Sequence, residues 1–180
     1  MVVDAREKRR TATYEGHYGN MGETPAHQVT GHLLWAVKAL VAYLMGLTRE
    51  ARRDACLDAI DQALAWLPDA DMAALDRRSR WVFAVEWFAY LNVIDGWYQA
   101  HQTEHLAEPT NRVLSVLWDI GWDLYASYDH WMRLNDDGLI SDQLLRRRVR
   151  TLRADDCRTP DDLPQHLRDA RAGVAALPVA

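Results

Sequence analysis

Only two cysteines occur in the 180 residues, Cys56 and Cys157. They show neither CxxC spacing nor a pairing pattern, which excludes a disulfide framework and a thiolate zinc site as organising features. Reduced thiols and a cytoplasmic location are expected. Long apolar runs are missing as well. The most apolar stretch, Leu33 to Leu47, spans 15 residues and contains Lys38, whereas a membrane-spanning helix needs about 20. No membrane association is expected. The start, MVVDAREKRRTA, lacks the apolar core of a secretory signal. There is no glycine-rich phosphate loop, no GxSxG and no HExxH, so the familiar signatures of nucleotide, acyl and zinc-peptidase chemistry are absent. No segment alternates like a strand, and no fixed period repeats.

Phenylalanine and lysine are scarce. Two Phe stand against eight Trp and seven Tyr, and Lys8 and Lys38 are the only Lys among 21 basic residues. Six Trp (Trp81, Trp87, Trp97, Trp118, Trp122, Trp131) fall between residues 81 and 131. Aromatics with a polar tip suit half-buried surfaces, so this cluster reads as core, interface or groove. The net charge of −5 argues against a uniformly basic coat for nucleic acid, though not against a local basic patch.

Helical periodicity dominates what remains. Residues 1–24 carry three Gly and no period and read as a flexible N-terminal arm. A first helix is predicted from Pro25 to about Leu47, with Thr24 as cap and apolar residues nearly all round. Thr48 is expected to cap a second helix, Arg49 to Leu67, with Arg52, Arg53, Asp54, Asp58 and Asp61 facing water. A third starts near Asp71, with a candidate break at Ser79, and reaches about His105. After Glu108-Pro109-Thr110 a fourth runs to about Leu134 and stops at the turn Asn135-Asp136-Asp137-Gly138. Two further helices are predicted, Asp142 to Arg153 and a last one ending near Leu177. The expected fold is all-α: an antiparallel four-helix bundle over 25–134, with a C-terminal helical extension over 135–180.

Three groups of residues could carry chemistry. His101 and His105 are four apart, a spacing that puts two imidazoles on one helix face, and Glu104 stands between them. A divalent metal there would need further ligands, and a hairpin folded at residues 107–108 leaves Asp119 about 7 Å along the axis. The plain alternative is a solvated helix end. Glu86 falls with Tyr90, Val93 and Trp97 on the apolar side of the third helix, and the same hairpin sets it level with His130. A buried carboxylate needs a partner or a raised pKa. Glu86 and His130, walled by Trp81, Trp87, Tyr90 and Trp131, form either a structural pair or an acid–base pocket. Finally, Arg146, Arg147, Arg150 and Arg153 point outward from a helix whose residues 141–153 carry +4, five Arg against Asp142. Guanidinium forks onto phosphate oxygens, and without aromatics in the cluster any contact is to the backbone and independent of sequence.

The leading expectation is a non-catalytic helical subunit that docks into a larger assembly. It needs no cofactor, binds a protein partner or itself, and contacts RNA or DNA backbone through the Arg helix. The alternatives are a small metal- or ligand-binding bundle enzyme and a homodimeric regulator pairing through the first helix.

Overall fold

The computed structural model describes residues 24–46, 48–124, 133–143 and 162–179. His130, Trp131, Cys157, the Arg146–Arg153 helix and the N-terminal arm fall outside them. Among the described residues every regular element is helical.

Local chemistry sets the helix ends. Helix α1, Pro25–Leu44, opens on Thr24, whose extended backbone lets Oγ1 accept from the His27 N–H at 3.4 Å. Proline at the first position has no donor to lose. The helix stops at Leu44, short of the expected Leu47, because Gly46 takes φ +85° and donates its N–H to the Tyr43 carbonyl. Only glycine enters that left-handed region without a Cβ penalty. Thr48 follows at φ 46° and makes no side-chain bond to α2, Arg49–Trp66. The expected cap fails because a capping hydroxyl reaches the first free N–H groups from an extended backbone, not a left-handed one.

Two 3-10 turns, Leu67–Asp69 and Met72–Ala74, lead to α3, Arg77–Ala100. Ser79 does not break this helix. It sits in the first turn and supplies the N–H that Asp76 caps. Helix α4, Ala107–Leu124, holds Pro109 in its first turn, where no intrahelical donor is needed. The predicted turn at Asn135–Gly138 is present. Gly138 has φ +74°, its N–H bonds to Asn135, and the Leu139 N–H reaches back to Leu134. This pair of bonds is the Schellman ending of a helix. Helix α5, Leu163–Ala175, completes the described chain.

Among the described residues, helices α1 to α5 form a closed ring. Contacts join α1 to α2, α2 to α5, α5 to α4, α4 to α3 and α3 back to α1. The C-terminal extension therefore closes the bundle. Sequential helices run antiparallel, while α1 and α3 run parallel: His27 meets Ser79 and Lys38 lies over the Tyr90 ring, both at an offset of 52 residues. Two of the acids and bases expected to face water instead hold α5. Asp61 takes both nitrogens of a guanidinium fork from Arg171, at 2.6 and 3.2 Å, and Arg53 donates to the Leu177 carbonyl. Tyr43 donates its hydroxyl to the Pro178 carbonyl, and burial raises its pKa against the opposing pull of Arg49 and Arg53.

Leu33, Leu40, Ile60, Trp87, Ile120 and Leu167 bring all five helices to one axis. The narrow gap among them has no polar lining. Cys56 borders it, and burial pushes its thiol up to about 12, so it is an inert core group at neutral pH.

Candidate functional site

The His101 and His105 spacing does not become a helical face. Helix α3 ends at Ala100, and both histidines lie in the connection to α4. His101 stacks on Trp97 with ring centroids 4.6 Å apart, and its Nδ1 lies 2.7 Å from the Trp97 carbonyl. Glu104 and His105 are exposed. The hairpin register moves Asp119 away as well. Trp87 Nε1 donates to the Leu117 carbonyl, so the fold lies near residues 101–106 rather than 107–108. Asp119 is then roughly 20 Å along the axis from the histidines. Among the described residues, no three His, Cys, Asp or Glu gather as a metal ion requires.

Glu86 is half-buried on a flank of α3, not in the centre of its apolar face. Phe83, Ala84, Trp87, Phe88, Leu91 and Ile94 take the buried face. The register sets Glu86 level with about residue 118 of α4. Of its expected walls, Tyr90 shares its flank and Trp87 points into the core. Trp81 lies five residues back, about 140° around the helix, where the Arg133 guanidinium covers its ring at 4.0 Å. Asn92 donates to the Leu139 carbonyl on that far side.

The structure brings together a polar cluster that periodicity does not reveal. Ser79, fully buried, donates its hydroxyl to Asp76 Oδ2 at 2.6 Å, and its Oγ lies 3.1 Å from His27 Nε2. With the Ser79 proton directed at Asp76, His27 Nε2–H is the donor, and Nδ1 accepts from Thr24 Oγ1 at 2.5 Å. The chain Asp76–Ser79–His27–Thr24 ties the two parallel N-termini. Nucleophilic catalysis would need histidine between acid and serine, with the serine reachable; here serine stands in the middle and is covered. The local signals were Thr24-x-x-His27 and Asp76-x-x-Ser79, each a cap spaced three residues from its partner.

The Asp76 carboxyl is held below its ordinary 3.8, first by the Ser79 hydroxyl and N–H, with burial opposing and His27 assisting. A lowered folded-state pKa gives stability that is present above the unfolded value and lost as pH falls through the folded one. Asp76→Ala is expected to cost about 1 kcal/mol at neutral pH, the usual worth of a cap. Its deficit against the native chain should shrink as pH drops below 3.8, read by urea denaturation at several pH values. A deficit constant down to strongly acidic pH would remove Asp76 from the network's stability.

One surface stands out. Helix α1 is buried all round except for a stripe at Trp35, Lys38, Val41 and Ala42, where Trp35 is 53% exposed. Beside it, Val82, Val85 and Ala89 of α3 are half-buried and Val93 is 51% exposed. With Met45 at the end of α1, they make an apolar outer face on the α1/α3 pair.

Among the described residues, fold and surface define an all-α bundle with a mainly apolar interior and an apolar outer face on α1 and α3. No family model, curated protein or solved structure matches the chain.

Proposed function

We propose that this chain is a non-catalytic helical subunit that docks into an assembly through the α1/α3 face and contacts nucleic-acid backbone through Arg146, Arg147, Arg150 and Arg153. The observation that carries the docking half is Trp35. A tryptophan about half exposed, in the open stripe of a helix whose other faces are buried, is the kind of anchor that dominates protein interfaces. The nucleic-acid half rests on the charge of the 141–153 segment. No helix among the described residues is long and apolar enough to cross a membrane.

Fluorescence anisotropy with a labelled single-stranded RNA tests the second half. Binding should weaken steeply with salt and ignore sequence. Replacing the four arginines by alanine should reduce the slope of log K against log salt by about 3, at ~0.7 per lost phosphate contact. Equal binding by the variant, or no binding even at low salt, would overturn the nucleic-acid role. Crosslinking from Trp35 and Val93 positions tests the first half, and a face that captures nothing in the assembled state would remove it.

A further inference from the structure

We draw no further inference here: the strongest candidate, the apolar outer face of the α1/α3 pair around Trp35 and Val93, carries none, because nothing in the structure shows what covers it.

Discussion

Trp87→Ala should lower the unfolding free energy by about 3–5 kcal/mol, the cost of removing a large aromatic from a core that cannot collapse around the loss. Trp87 is fully buried in the middle of α3. It stacks on Phe83 at 5.3 Å and donates its indole N–H to the Leu117 carbonyl across the α3/α4 interface at 3.1 Å. It also borders the apolar axis where all five helices converge. Domains of this size hold about 5–15 kcal/mol in total, so the substitution removes a fifth or more of that. Trp87→Phe separates the parts: it keeps most of the apolar bulk and loses the hydrogen bond, at about 1 kcal/mol. Urea denaturation followed by far-ultraviolet circular dichroism reads both. An alanine variant with the native midpoint would mean that the ring is not at the centre of the core.

The second large effect comes from adding atoms. Gly121 lies on α4 where the helix presses against α3. A Cβ there would stand 2.8 Å from Phe88 Cζ and 3.0 Å from Trp87 Nε1. The obstructing atoms belong to buried rings held by neighbours, not to the free end of a flexible chain. Alanine gains about 1 kcal/mol as a helix former over glycine but forces an overpacking cost of about 1–3 kcal/mol, so Gly121→Ala should be neutral to destabilising. Gly121→Val lacks most of the helical gain and adds two methyls in the same space. It should cost about 3 kcal/mol or more. Gly96 supplies the contrast: it is helical, exposed, and has nothing within 4 Å of its missing Cβ. Gly96→Ala should stabilise by about 0.5–1 kcal/mol. Equal effects at the two glycines would contradict the close approach of α3 and α4. Because Gly121 and Trp87 touch, Trp87→Ala combined with Gly121→Ala should cost less than the sum of the singles.

The candidate sites show where a linear reading stops. His101 and His105 have helical spacing, yet spacing has meaning only while the helix lasts, and α3 ends one residue before the first of them. Glu86 and His130 come level in a hairpin folded at residues 107–108; the Trp87–Leu117 bond sets the fold four or five residues earlier, and His130 lies outside the described residues. Each residue of register error moves a level by about 1.5 Å and turns it by about 100°, so a small error in the turn reassigns every cross-helix neighbour. Trp81, an expected wall of the Glu86 pocket, faces the other flank, where Arg133 meets it.

The sequence by itself determined the helical class, because the 3.6-residue apolar period is a local property. It also determined the Thr24 and Pro25 start and the Asn135–Gly138 stop, each set by the chemistry of a few adjacent residues. The near-complete encirclement of α1 was legible in its apolar wheel; the exposed stripe at Trp35 was not. Only the tertiary structure decided the rest: the α3/α4 register, the return of α5 between α2 and α4, and the use of Asp61 and Arg53 as its anchors. It also decided the meeting of His27 with Ser79. Those depend on which partly apolar faces meet in space, and pairs 52, 110 and 124 residues apart leave no periodic trace along the chain.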